Sequence, residues 1–490
     1  MILHHWRYWC LLLTVLGCVT PLNASEYSQP GFYNVNHYVL DNGLRVILKP
    51  RHNARNVSIQ LTVNVGHMNF PCGKRETAHF LEHLLFTGTA RHSEIELDER
   101  IESHGGSWNA QTANDYTLYY VDIFSKHLDI ALQTLHEIIT ESTIEDEDIK
   151  KSRRIIFRED GGKPPRLREW LYRNGIIRPA TTLALNRIFP GIDYLCLTLD
   201  NTSWVSKADI VGAYRDYYRA SNMTLSVVGD FEVSNINTLI DRTFGTMPQK
   251  SLESVKRRPV PEEFQPVEEI IEGRLHPIVG SDASVYMMYR TAGIYSPSYY
   301  ALTVLESYFQ TELYNRLRVE QGMAYAPKAY TFLHNDYGAF VFESDSELDD
   351  VNKNIQLIKG IIAQYQKGDL DQQRLDTVKR KILLNAARGY ESNASFAEYY
   401  ALNVEDLQRY GKFENYEDRI EGVSLQDISD ATNKYFRDDH LVIAIVKPAF
   451  TYTQFYVFIL GMLILAALAG WWLVKRIKTH YMIKPRSQKD

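Results

Sequence analysis

Val205-Ser206-Lys207-Ala208-Asp209-Ile210 returns 218 residues later as Val423-Ser424-Leu425-Gln426-Asp427-Ile428, and the echo continues beyond it. Tyr217, Arg219 and Val228 recur at the same interval as Tyr435, Arg437 and Val446. Upstream, Leu81-Glu82 aligns with Leu305-Glu306 at an offset of 224, and the segment Ile144 to Glu159 aligns with Leu370 to Asn385 at 226. Each match is sparse, but their shared order and near-constant spacing predict a tandem duplication, one fold written twice. Between Tyr33 and Pro448, strand-like runs such as Leu44 to Leu48 and Val57 to Val65 alternate with helix-length amphipathic segments such as Lys126 to Thr140. The expected class is α+β: two homologous α/β domains, 33–247 and 267–448, joined by a proline-punctuated charged linker, 248–266.

Composition agrees with a large folded body. The 490 residues suffice for two to four units at roughly 100 to 200 residues each. Fifty-four Lys plus Arg against 60 Asp plus Glu give a net charge of -6. No half is basic enough to track a phosphate backbone, so nucleic acid is excluded as the expected partner. The four cysteines, Cys10, Cys18, Cys72 and Cys196, are spread too widely for a Cys-x-x-Cys zinc ribbon, so any metal must be held by His and carboxylates.

The two ends read as targeting segments. Arg7, the apolar run Trp9 to Val19 and then Thr20-Pro21 have the layout of a secretory signal peptide over 1–24. Val15-Leu16-Gly17-Cys18 loosely matches a lipoprotein cleavage site, which leaves lipidation of Cys18 open. Phe455 to Val474 carries no charge over 20 residues, the length that spans a hydrocarbon core as a helix. Lys475, Arg476, Lys478, Lys484, Arg486 and Lys489 follow, so tail 475–490 is expected in the cytoplasm and the body outside it. A bacterial inner membrane with a periplasmic body is the preferred setting. In a eukaryotic secretory membrane, Asn56, Asn201, Asn222 and Asn393 would match the glycan acceptor pattern. Cys72 and Cys196 then lie where a disulfide is permitted, and the sequence leaves them paired or free.

Within Glu76 to Phe86, a stretch without Gly or Pro, stands His79-Phe80-Leu81-Glu82-His83. On a helix, His79, Glu82 and His83 fall within about 100° of one face. Two imidazoles at i and i+4 suit one tetrahedral zinc, and the carboxylate at i+3 faces the metal's open position, where it can take a proton from water. A third ligand is required. Ser142 to Glu145 resembles a capping box opening a second helix, in which Ile149, Ser152, Ile156 and Glu159 share a face marked as buried by its apolar members. A carboxylate on that face needs a cation. Zinc on His79 and His83 supplies one; pairing with Arg153 or Arg154, or a solvated Glu159, are the plain alternatives. In the second repeat, Thr303, Ser307 and Asn385 take the places of His79, His83 and Glu159, so one zinc per chain is expected.

At these residues the chain resembles the pitrilysin and insulinase family of inverzincin peptidases, which includes the mitochondrial processing peptidase. The likeness covers about Tyr33 to Pro448 and is most specific at His79-x-x-Glu82-His83 followed 76 residues beyond His83 by Glu159. The words AHFLEHLLFTGT (Ala78 to Thr89), GGSWNAQTANDYTLY (Gly105 to Tyr119) and Val227-Val228-Gly229-Asp230 also fit. The resemblance implies zinc on His79, His83 and Glu159, with Glu82 as general base in a zinc metalloendopeptidase. It also implies that Asn109 and Ala110 lie on an edge strand to which substrate adds as a β-strand, and that Arg318 and Tyr325 stabilise the oxyanion. From spacing alone, Asn109 is a turn residue after Gly105-Gly106, and Arg318 and Tyr325 are a surface Arg and a packed Tyr. One position departs: Ser152 stands where the family usually has a second Glu, seven residues before the metal-binding one.

Two repeats make half of the family's clamshell, so a homodimer, or a heterodimer with a related subunit, is expected to complete each site in trans. The substrates implied are peptides or extended, unfolded segments. Ser152 keeps a second expectation in view, a catalytically weak or inactive subunit that works with a partner.

Overall fold

The computed structural model describes residues 31–159, 166–194, 202–249, 261–273 and 277–482. The expected signal peptide, Cys10, Cys18, Cys196, Asn201, the linker's 250–260 and tail positions 483–490 lie outside the described residues.

Eleven strands among the described residues form two sheets. The first holds β1 (Asn36–Val39), β2 (Arg45–Pro50), β3 (Asn56–Val63), β4 (Ser107–Thr112), β5 (Thr117–Phe124) and β6 (Met223–Gly229), in the order β1-β2-β6-β3-β5-β4. The second holds β7 (Val267–Glu272), β8 (Asp282–Ala292), β9 (Lys328–Leu333), β10 (Tyr337–Glu347) and β11 (His440–Val446), in the order β7-β11-β8-β10-β9. Apart from β1, the second order repeats the first. In both sheets a late strand enters the middle: β6 is parallel to β2 and antiparallel to β3, and β11 is parallel to β7 and antiparallel to β8.

The quoted repeat opens the helix before each of those late strands. Ser206 caps Lys207–Tyr217 in a reciprocal box with Asp209, and Ser424 caps Leu425–Tyr435 with Asp427 in the same geometry. Tyr217 and Tyr435 end these two helices. The chain thus has two α/β domains of one design.

Each sheet is covered on both faces, and the halves share the task. The inward residues of β3, Val57, Ile59, Leu61 and Val63, join the core beneath the first half's own helices. On the opposite face, Ile47 of β2 and Val228 of β6 pack against Phe396, Ala397 and Tyr400 of the second half's helix Asn393–Leu402. Reciprocally, Ala180, Ala184 and Ile188 of the first half's helix Ala180–Ile188 pack on Met288, Val442 and Ala444 of the second sheet. Polar bonds pin the exchange: Asn393 donates to the Asn56 carbonyl at 3.0 Å, Arg51 donates to Asn393 Oδ1 at 2.9 Å, and Gln60 donates to the Ala394 carbonyl at 3.1 Å. Asn222 and Asn393 are buried, so neither is an accessible glycan acceptor in the fold.

Beyond Pro448 one helix, Tyr452–Met482, runs for 31 residues with its apolar surface exposed. It is long and apolar enough to cross a membrane. Lys475 and Arg476 each sit 5.1 Å from the ring centres of Trp471 and Trp472 respectively.

Candidate metal centre

The helix Thr77–Leu84 buries Thr77, Ala78, Leu81 and Leu84 against the core and turns His79, Glu82 and His83 outward together. Its missing Gly and Pro let all three hold helical register. The second expected helix spans Asp146–Glu159, with Ile149, Ser152 and Ile156 buried as the periodicity implied. Its start differs from the sequence reading. Ser142 does not cap it, because that hydroxyl is turned back to the Ile138 carbonyl in the last turn of the preceding helix, Leu128–Glu141, and to the Leu85 carbonyl at the end of Thr77–Leu84.

Glu159 also departs from the reading of a buried carboxylate. It is the last residue of its helix, where the packed face ends, and its side chain is 48% exposed. What ties it to the histidines is distance: Glu159 Oε2 lies 3.2 Å from His79 Nε2 and 3.4 Å from His83 Nε2. The two Nε2 atoms are 3.2 Å apart. The Arg153 alternative is not formed, since its guanidinium donates to the Thr202 and Val205 carbonyls.

Those three separations fit one ion. Zinc with nitrogen and oxygen donors about 2.0–2.1 Å away has neighbouring tetrahedral donors about 3.3–3.4 Å apart. Among the described residues, ligand atoms of His79, Glu82 and His83 also gather within 4.8 Å of one another. Glu82 therefore stands beside the same point, and its Oε2 accepts a hydrogen bond from Thr112 Oγ1 at 2.5 Å. Thr112 ends β4, so the edge strand and the acid are fastened together.

A residue the sequence reading passed over completes the shell. Glu76, at the helix's N-cap position, accepts from His79 Nδ1 at 3.0 Å, and His67 Nδ1 approaches its other oxygen at 3.6 Å. A proton held on Nδ1 leaves Nε2 with its lone pair toward Glu159 and His83, as ligation requires. The signal was present, because Glu76 precedes His79 by three positions and so shares its helical face. Burial works to lower the His79 pKa, but the hydrogen bond to Glu76 and the charges of Glu76, Glu82 and Glu159 outweigh it and leave it raised. Burial and the neighbouring His79 cation lower that of His83.

The remaining expected residues fall in two places. Asn109 and Ala110 lie on β4, the outermost strand of its sheet, and the Ala110 N–H is taken at 2.9 Å by Asn109 Oδ1. Arg318 and Tyr325 lie in the second half. The Arg318 guanidinium donates to the Tyr325 carbonyl at 2.6 Å and sits 4.6 Å from its ring centre. Tyr325 is 74% exposed rather than packed. The contacts of this pair fall within the second half, so the structure does not bring them to the histidines of the same chain.

Comparison with known proteins places these features in a family. Residues 45–161 match the profile of the insulinase peptidase family M16, and residues 205–382 match that of the M16 inactive domain. The zinc protease PqqE of Helicobacter pylori is 24% identical over 454 residues, covering 87% of this chain and 96% of its own. YmxG of Bacillus subtilis, described as an uncharacterized zinc protease, is 21% identical over 422 residues, covering 85% of this chain and 98% of its own. The solved structure of a protease from Helicobacter pylori superposes with a TM-score of 0.71 at 20% identity, covering 84% of this chain and 99% of that one. The chain belongs to the M16, or insulinase, peptidase family. It is a zinc-protease-like member with two M16-type domains.

Proposed function

We propose that this chain is a membrane-anchored zinc metalloendopeptidase that cleaves peptides or extended polypeptide segments. The observation that carries the reading is the convergence of His79 Nε2, His83 Nε2 and Glu159 Oε2 to 3.2–3.4 Å, with Glu82 beside them. His79, His83 and Glu159 hold one zinc per chain, which when bound supplies Lewis acidity to a peptide carbonyl and to water. Glu76 keeps His79 in the tautomer that ligates. Glu82, steadied by Thr112, takes the proton from the attacking water and returns it to the leaving amine. β4 is the outermost strand of its sheet, and a substrate strand added along it, displacing the Asn109 side chain from the Ala110 N–H, runs past the Thr112–Glu82 contact. Arg318 and Tyr325, exposed on the other half, act on the oxyanion in a second copy or a related subunit, closing the shell as a dimer.

The helix Tyr452–Met482 anchors the body, and the cations after Val474 keep the tail in the cytoplasm. Cys72 is disulfide-bonded, which favours an oxidising compartment such as the periplasm. Escherichia coli PqqL, described as a periplasmic protease, shares the fold at a TM-score of 0.65 and 17% identity, with this chain spanning 47% of its length. A second reading, a catalytically weak subunit, is favoured by one observation: buried Ser152 contributes no carboxylate to the centre.

The test is zinc content and peptide cleavage of the detergent-solubilised chain beside Glu82→Gln, with and without chelator. Stoichiometric zinc, cleavage lost in Glu82→Gln and loss on chelation are the expected results. Bound zinc without cleavage of any peptide would establish the subunit reading instead.

A further inference from the structure

The positions that replace the zinc ligands in the second half are not filled in. Thr303, Ser307 and Asn385 line a cavity of about 740 Å³, a volume in the range of small-ligand sites. Glu306, the counterpart of Glu82, remains in its wall and accepts from the Thr331 N–H and hydroxyl at 3.0 and 2.8 Å. Thr331 lies on the edge strand β9 as Thr112 lies on β4, so the scaffold of the acid is kept where the imidazoles are gone.

The lining has a definite chemistry. Among the described residues that line it, seven of twenty are tyrosines, and three are carboxylates against one basic side chain, Arg419. Arg419 is spent on Glu414 at 2.5 Å. Among the described residues, Glu306 and Asp406 have no basic partner, and the Asp406 carboxylate accepts only the Glu414 N–H, at 3.3 Å. Its carboxyl is pushed up to about 6, chiefly by burial and further by Glu414 and Glu405. Behind the Tyr416 wall, Glu417 is 1% exposed, accepts from the Tyr33 hydroxyl and leaves Oε1 without a partner. The aromatic faces meet at angles. Tyr299 and Tyr300 lie 4.9 Å apart at 62°, and Tyr300 and Tyr416 lie 6.0 Å apart at 55°. The same region already sets one guanidinium on a phenol ring, with Arg409 4.3 Å from the centre of Tyr295.

Tilted π-faces and uncompensated carboxylates in one cavity disfavour an anion and favour a cation with an organic body. We propose that this cavity binds an alkylguanidinium or alkylammonium group, its charge between Asp406 and Glu306 and its stem against Tyr299, Tyr300 and Tyr416. Two sources share that chemistry, a free small cation and the end of an Arg or Lys side chain in a peptide. The site is separate from the metal centre and does not depend on catalysis.

The test is calorimetric titration of the full chain in detergent, after chelation, with n-butylguanidinium, an Arg-containing pentapeptide and the same pentapeptide carrying citrulline. Saturable binding of butylguanidinium or of the Arg peptide, with the citrulline peptide silent, is the expected result. An Arg peptide tighter than butylguanidinium assigns the ligand to a polypeptide; equal affinities assign it to a free cation. Asp406→Asn should weaken binding about tenfold or more, the scale of a lost charged hydrogen bond. Ser307→Lys, which puts an ammonium group into the cavity from its own wall, should abolish it. No binding of any probe, equal binding of the citrulline peptide, or both variants binding like the parent would overturn the proposal while leaving the zinc reading untouched.

Discussion

Two glutamates lie near His79 on different sides of the proposed metal centre, and each predicts a different defect. Glu76 meets the His79 imidazole on the side away from Glu159 and His83, so Glu76→Gln should weaken zinc affinity by about 10–100-fold, measured by competition with a chromophoric chelator. Glu82→Gln should hold its zinc. Proton competition adds a sign: the raised His79 pKa means zinc must displace a proton over a wider range, so affinity falls as pH drops and begins falling above the ordinary value of 6.5. In the metal-free protein the same shift makes protonated His79 stabilising at low pH, a contribution lost as pH rises through the folded value. Asp406 follows the same sign, although its favoured protonated form is the neutral one. Its pKa, raised from 3.8 to about 6, means the fold binds the extra proton between those values, so stability declines as pH rises through that window. Asp406→Asn should therefore gain on the parent by on the order of 2 kcal/mol from pH 4 to pH 7, read by urea unfolding at each pH. The ligand spacing was legible residue by residue because a helix converts sequence interval into angle. Glu159's half-exposed side chain was not, since periodicity gives a residue's face but not whether its neighbours continue beyond the helix end.

At the scale of elements, the repeated words proved to be helix starts. Ser206 and Ser424 each accept, through the hydroxyl, from the N–H of the Asp three residues on and donate their own backbone N–H to that Asp's carboxylate. Ser206→Ala and Ser424→Ala should each cost about 1 kcal/mol, measured by denaturant midpoint at unchanged slope, and together should add. The expected box at Ser142 failed for a local reason: a Ser just past one helix can satisfy that helix's last carbonyls as readily as it caps the next. Strand β3 shows what alternation can and cannot tell. Its Val57, Ile59, Leu61 and Val63 announced one buried face, and they form it. Its polar Ser58, Gln60 and Thr62, on the opposite face, are buried as well. Nothing within eight residues of β3 encodes that, because the cover comes from Asn393–Leu402, more than 300 positions away. The tyrosine-lined cavity of the second half was hidden for the same reason, its walls being drawn from three separate stretches of chain.

For the whole molecule, duplication, domain class and the apolar terminal helix were readable, whereas the way the halves interlock was not. Sheets covered by the other half's helix expose an apolar face when the partner is removed. Phe396→Ala should cost about 3–5 kcal/mol and loosen both halves at once, seen as faster amide exchange in β2 and β6 as well as in its own helix. By contrast, ending the chain before Tyr452 touches no packed surface, and the shortened body should partition into the aqueous phase with its melting temperature unchanged.

The reciprocal loan of helices bears on how this polypeptide comes apart. Neither lobe owns a complete wrapping, so neither has a self-sufficient folded state to retreat to when its sibling melts. Calorimetry of the body should give a single endotherm whose van't Hoff and measured enthalpies agree, despite two architectures that look severable on paper. A protease nick in the stretch between them should leave both fragments travelling together as one particle.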